Sequence, residues 1–133
     1  MVCIYCSGPT HIINSRKQRR SNSTWRRRQC DHCKATFTTI ERPDLAKSLV
    51  VQVNSRFKAF SREKLFLSIF RSCGHRTRPI EDATALTDTV VARLLKDGKA
   101  QLSRSEIITV TTLILKRFDK AAAVQYTAYH PRT

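Results

Sequence analysis

Acidic side chains are scarce in this 133-residue chain: 10 Asp and Glu stand against 25 Lys and Arg, a formal net charge of +15. That imbalance favours a polyanionic partner such as nucleic acid. Long apolar runs are also missing. No stretch approaches the roughly 18 uninterrupted apolar residues of a spanning helix, and the N-terminus MVCIYCSGPT has neither a basic start nor a signal-type apolar core. The chain is therefore expected to be soluble and cytoplasmic, with no membrane partner. Only 3 glycines occur, none in a phosphate-cradling loop. Paired carboxylates and a nucleophile beside a base are equally absent, so catalysis has no candidate residues. No internal repeat or low-complexity tract appears, and the length allows one compact domain plus a small module rather than a multi-step enzyme.

The charge that is present lies mostly at the N-terminal end. Residues 1 to 40 hold eight basic side chains (Arg16, Lys17, Arg19, Arg20, Arg26, Arg27, Arg28, Lys34) and one acid, Asp31. Residues 41 to 133 hold the other 17 basic and 9 acidic side chains, so the net charge per residue is roughly halved there. Four of the five cysteines form two Cys-x-x-Cys pairs, Cys3 with Cys6 and Cys30 with Cys33. Two such pairs match the spacing of a tetrathiolate metal site, each offering two sulfurs to one tetrahedral ion. Zinc is the first expectation, and four thiolates also suit iron. A redox role fits less well, because redox pairs usually stand alone at a helix start. A segment of about 40 residues cannot bury enough apolar surface to fold unaided, which is an independent reason to expect structural metal. Cys73 is expected as a small core residue, and His11, His75 and His130 as surface or loop residues.

Composition shifts near ERPDLAKS. The expected division is a β zinc ribbon over residues 1–42, a linker over 43–48, and a mainly helical domain with a β-hairpin over 49–133: an α+β chain. In the ribbon, IINSR and TWRRRQ read as strands, with alternation placing Thr24, Arg26 and Arg28 on one face and Trp25, Arg27 and Gln29 on the other. Arginine binds phosphate bidentately and reads guanine edges, so Arg16, Lys17 and Arg26 to Arg28 are candidate DNA contacts. Trp25 could stack on a base, but the main core side chain of the ribbon is the favoured role for it. Beyond the linker, a hairpin turning at Asn54-Ser55 precedes a helix capped by Ser61. A second helix starts after Pro79 and buries Ala83, Leu86, Val90 and Leu94. A third opens on a Ser103/Glu106 capping box, with Ile107, Val110, Ile114 and Phe118 as its inner face. An Ala-rich helix stopped by Pro131 closes the chain.

The frame C-x-Y-C, IINSR, WRRRQC-x-x-C-K-A-x-FTTIE, then FSREKL and FDKAAAVQY, resembles the NrdR family of bacterial repressors of ribonucleotide reductase genes. The resemblance runs from residue 1 to about residue 130. It implies a zinc ribbon that binds a palindromic operator in double-stranded DNA, and an ATP-cone that binds ATP or dATP and sets the homo-oligomer. Val51, Phe60, Lys64 and Leu65 match the cone pattern, and Arg78 before Pro79 approximates its Lys-Arg-Pro. The family's first-strand lysine falls at Gln52 and an acidic position at Lys58, with Lys58 the candidate substitute for the missing lysine. The implied nucleotide residues are Val51, Gln52, Lys58, Phe60, Lys64 and Arg78. Two rival readings are an RNA-, polymerase- or ribosome-binding ribbon with a purely interacting helical half, and a detached cone regulating a reductase in trans.

Overall fold

The structure is a computed structural model, and it describes residues 1–131. The chain divides into two compact units, Met1–Pro43 and one beginning at Asp44. The first unit is a three-stranded antiparallel sheet in the order β1-β2-β3: β1 Thr10–Gln18, β2 Ser23–Cys30 and β3 Thr36–Glu41. The sequence reading has only two of these strands. The third, TFTTIE, is rich in the β-branched and aromatic residues that fit a pleated surface, and it makes the arginine strand β2 the central one. Register along β1 and β2 shifts between Ile12 and Asn14, a bulge that leaves Ile13 unpaired. Asn22 closes the β1–β2 connection at φ 45°, a left-handed conformation that asparagine tolerates.

The second unit holds a smaller sheet and a set of helices. Strands β4 Val50–Val53 and β5 Arg56–Ala59 form the expected hairpin, turning at Asn54 with φ 57°. A third strand, β6 Gln101–Ser103, pairs parallel to β4, giving the order β5-β4-β6. Three residues are too few to show a period, so this strand was not legible in advance. Within residues 43–48, where a linker is expected, Leu45–Ser48 form one helical turn (α1), and Leu45 packs on the core of this unit.

Helix α2, Arg62–Ser72, starts where Ser61 accepts a hydrogen bond from the Lys64 amide. Pro79 opens α3, Pro79–Leu95, whose buried stripe is Ala83, Leu86, Thr87, Val90 and Leu94. Helix α4, Arg104–Phe118, has both bonds of the Ser103/Glu106 capping box. Its inner face differs from expectation. The buried residues are Ile108, Thr111, Thr112 and Leu115, with Ile107, Val110 and Ile114 on the flanks and Phe118 40% exposed. Buried threonines explain the rotation. The Thr111 and Thr112 hydroxyls donate to the Ile107 and Ile108 carbonyls, both at 2.7 Å, so the polar atom is satisfied inside the helix and the methyl group packs. Helix α5, Lys120–Tyr129, buries Ala122, Ala123 and Tyr126. Cys73 is fully buried in the same core, as expected. Among the described residues no helix is long and apolar enough to cross a membrane.

Asp119 ties the helices together. Its Oδ1 accepts from the Ala121 and Ala122 amides at 2.9 and 3.2 Å, capping α5. Its Oδ2 lies 2.8 Å from His75 and accepts from Arg76 at 3.0 Å, while Arg76 also donates to Asp82 at 2.6 Å and lies over the Phe118 ring. His75 is thus partnered rather than a free loop residue. The His75 bond, the Ala122 amide and Arg76 together hold the Asp119 carboxyl far below the usual carboxylate range. A depressed folded value means the contribution is full above the unfolded carboxylate pKa, near 4, and is lost as pH falls toward the folded value. Asp119→Asn is therefore expected to lower the urea midpoint of the helical unit at pH 7. The deficit should shrink progressively below about pH 4. Denaturation followed by circular dichroism across pH checks both halves of this expectation.

Candidate metal centre and nucleic-acid face

Each Cys-x-x-Cys pair folds as a knuckle by the same local means. In the first, the Cys3 amide donates to the Gly8 carbonyl at 2.8 Å and Ser7 takes φ 61°. In the second, the Cys30 amide donates to the Ala35 carbonyl at 3.0 Å and Lys34 takes φ 62°. A left-handed residue directly after the second cysteine thus turns the chain back in both. Gly8 lets the knuckles meet: a Cβ there would stand 3.0 Å from His32 Nδ1 and 3.3 Å from Cys6 Sγ.

The four sulfurs converge. All lie within 4.8 Å of one another, with Cys3 to Cys33 at 3.7 Å and Cys6 to Cys30 at 3.4 Å. Sulfurs bound at about 2.3 Å to a tetrahedral zinc stand roughly 3.8 Å apart, so this donor set fits a tetrathiolate ion with no open position. Backbone amides point at the sulfurs: Tyr5 at Cys3, and both His32 and Cys33 at Cys30, each at 3.4 Å. Such donors stabilise thiolates over thiols. Burial pushes the Cys30 thiol up, but the Cys33 and His32 amides and the Cys6 thiol outweigh it and bring it down to about 6. Cys33 goes the other way. Its bond with the Ala35 backbone lowers it, yet desolvation and the three neighbouring sulfurs carry it up to about 11. Four thiolates cannot share this space without a cation, which is what a metal supplies. His32 packs beside the knuckles and need not serve as a ligand, since four cysteines complete the set.

The sheet carries the arginines on two unlike faces, as alternation predicts. Directly opposed residues share a face. One face bears Arg26 and Arg28 together with Ile12, Ser15, Lys17, Phe37, Thr39 and Glu41. This is the metal side, because Phe37 forms the small core of the unit with Cys3 and Cys30. Here Arg26 is ion-paired with Glu41, and Arg28 donates to Thr39 and Thr10 at 3.4 and 3.5 Å. The other face bears Trp25 and Arg27 with Asn14, Arg16, Thr36, Thr38 and Ile40. Trp25 is not core: it is 45% exposed, because the knuckles cover the opposite side of the sheet.

In the helical unit, Val51, Lys58, Phe60 and Lys64 come together around one cavity of about 300 Å³, joined by Arg104, Tyr126 and His130. None of the residues lining it is acidic. Gln52 is not brought there; it pairs opposite Phe57 on the far side of the strand. Arg78 also lies away from the lining and reaches Glu81 at 3.6 Å. Sequence reading missed Arg104, Tyr126 and His130. His130, expected as a lone surface residue, stacks on Tyr126 with ring centroids 4.3 Å apart. The four-residue step from Tyr126 to His130, one helical turn, was the available signal.

Residues 1–41 match the family described as "Transcriptional repressor NrdR-like, N-terminal domain". Similarity also extends well beyond the ribbon. The protein named Transcriptional repressor NrdR from Kosmotoga olearia is 31% identical over 98% of this chain and 83% of its own length. Its namesake from Nitrosospira multiformis is 31% identical over 98% and 82%, and that from Albidiferax ferrireducens 30% over 98% and 88%. This chain belongs to the NrdR family. The four cysteines Cys3, Cys6, Cys30 and Cys33, a group that could hold one metal ion, all lie within the segment that matches the NrdR-type ribbon. Both NrdR features that the sequence suggested, a cysteine-knuckled β unit and an α+β helical unit, are present in the fold.

Cys33→Ser in this NrdR-family chain is expected to abolish stoichiometric zinc binding and unfold the ribbon while the helical unit keeps its circular dichroism. Cys73→Ala should retain one zinc per chain. Metal analysis and far-ultraviolet circular dichroism of the two purified variants check this.

Proposed function

We propose that this chain is a DNA-binding transcriptional repressor of the NrdR type, acting in the bacterial cytoplasm on ribonucleotide reductase genes. The observation that carries the proposal is the ribbon sheet: a knuckle-braced platform on which Arg27 of the central strand and Arg16 and Lys17 of the edge strand are exposed, with Arg26 and Arg28 half-buried beside them. Arg16, Lys17, Trp25, Arg26, Arg27 and Arg28 form the proposed DNA contacts. Their charge would displace condensed counterions from the duplex, so affinity should fall steeply with salt. A palindromic operator calls for a symmetric homo-oligomer, with one ribbon on each half-site. The relatives' names are those of repressors, and the chain is assigned no reaction.

The helical unit is proposed to bind an adenine nucleotide in the cavity beside Val51. Its lining combines apolar Val51, Phe60, Leu65 and Tyr126 with cationic Lys58, Lys64 and Arg104, a pairing that suits a flat base joined to phosphates. Lys58 stands directly opposite Val51 on the hairpin, on the face that lines the cavity, and is proposed to supply there a phosphate-binding cation that Gln52, on the other face, does not. ATP and dATP would regulate the repressor by favouring different assemblies, since an effector with equal affinity for both shifts nothing.

The proposal predicts that a palindromic duplex from a reductase gene's control region is shifted by the protein at concentrations that leave structured RNA unbound. Preference for the RNA would instead favour a ribosome- or transcript-binding ribbon. Lys64→Ala is expected to weaken ATP binding by about tenfold, consistent with loss of a charge-assisted phosphate contact. Calorimetry that shows no heat from the wild-type protein with either ATP or dATP would remove the helical unit from the mechanism.

A further inference from the structure

We propose that Arg27 is the arginine that reads a base, and that Thr36 and Thr38 are the positioning residues that aim it. This rests on the DNA-binding reading above and assigns roles within it. The three consecutive arginines of β2 are chemically identical but differently held. Arg26 is ion-paired with Glu41, which offsets its charge. Arg28 is half-buried on the metal side and bonded to Thr39 of β3 and Thr10 of β1, so it ties the outer strands to the central one. Arg27 lies on the open face and is exposed. Its two terminal nitrogens donate to Thr38 Oγ1 at 3.1 Å and Thr36 Oγ1 at 2.7 Å.

Two acceptors on one strand fix the plane of the guanidinium. Because both acceptors are neutral, they orient it without cancelling its charge, unlike the carboxylate beside Arg26. A guanidinium has five N–H donors, so three remain, and the O6 and N7 of a guanine need two. Orientation made before binding spares the rotamer entropy otherwise lost on docking. The surroundings agree. Opposite and beside Arg27 on that face stand Asn14, Trp25, Gln29 and Thr38, flanked by Arg16, Thr36 and Ile40, with no carboxylate among them. Arg16 stands on the edge strand, where it suits phosphate rather than base contact, and a sheet face laid into the major groove would bring the central strand to the base edges.

The test uses the full chain with its zinc and, as probe, the duplex that the wild-type protein enriches most from a random-sequence pool, against a scrambled duplex of the same composition. Arg27→Lys and Arg27→Ala are expected to lower the enriched-to-scrambled affinity ratio about 5- to 150-fold, the span of one lost bidentate base contact. Arg27→Lys keeps a positive charge and should hold the salt slope, whereas Arg16→Ala should reduce the slope by about 1 and weaken both duplexes alike. The Thr36→Val/Thr38→Val pair should lower the ratio in the same direction as Arg27→Lys, at wild-type zinc content. If that pair loses zinc, Arg27→Lys alone decides. Discrimination by Arg27→Lys equal to wild type overturns the assignment and leaves the repressor reading standing. A wild-type protein that enriches no sequence overturns both.

Discussion

Convergence of four cysteine sulfurs is the constraint on which the N-terminal unit depends. Its buried apolar core consists of Cys3, Cys30 and Phe37, and two of those three belong to the four-cysteine cluster. Three buried residues cannot offset the backbone entropy of ordering some forty, which costs on the order of 1–2 kcal/mol each. The metal supplies what packing does not, and it does so at the end of β2, the strand that carries the arginines. Strand β2 therefore ends at a fixed point, Cys30, and is held on both sides by β1 and β3. The arrangement makes a rigid presentation of charge out of a segment with almost no hydrophobic interior. It also explains why one face of the sheet is free: the knuckles and Phe37 occupy the other.

The second unit is organised by ordinary packing, with polar anchors at its joints. Ser61, Ser103 and Asp119 each cap a helix, and Asp119 additionally gathers His75 and Arg76. Threonines contribute to its core more than their polarity suggests, because each hydroxyl is satisfied one turn back along its own helix. The parallel pairing of β6 with β4 places the start of α4, and hence Arg104, beside Val51. A strand of three residues thereby completes the wall of a cationic, apolar-lined cavity. Two kinds of surface are thus separated along the chain, a charged sheet face in one unit and a half-open pocket in the other.

Legibility from the sequence followed the range of the interactions concerned. The four-cysteine cluster was readable because knuckle spacing is local, and the caps at Ser61 and Ser103 because capping involves residues three apart. The hairpin and the stripe of α3 were readable from period alone. Trp25 was assigned to a core that lies on the other side of the sheet, since alternation tells which residues share a face but not which face is covered. The inner face of α4 was misplaced by one position, because counting apolar side chains overlooks threonines that bury their methyl groups. Of the six residues carried over for the cavity, four line it, while the alternation of β4 turns Gln52 away and Arg78 is engaged at the start of α3.

By itself, then, the sequence determined the two Cys-x-x-Cys pairs, the α+β class and the concentration of positive charge near the knuckles, all of which depend on residue type and short spacing. Only the tertiary structure decided which arginine is neutralised, which is built into the sheet and which stands oriented on an open face. The reason is physical: Glu41, Thr10, Thr36, Thr38 and Thr39 lie 9 to 18 residues from the arginines they hold. Strand register, not sequence distance, brings them together. The same holds for the cavity, where Arg104 and Tyr126 meet Val51 only through the pairing of β6 and the packing of α5.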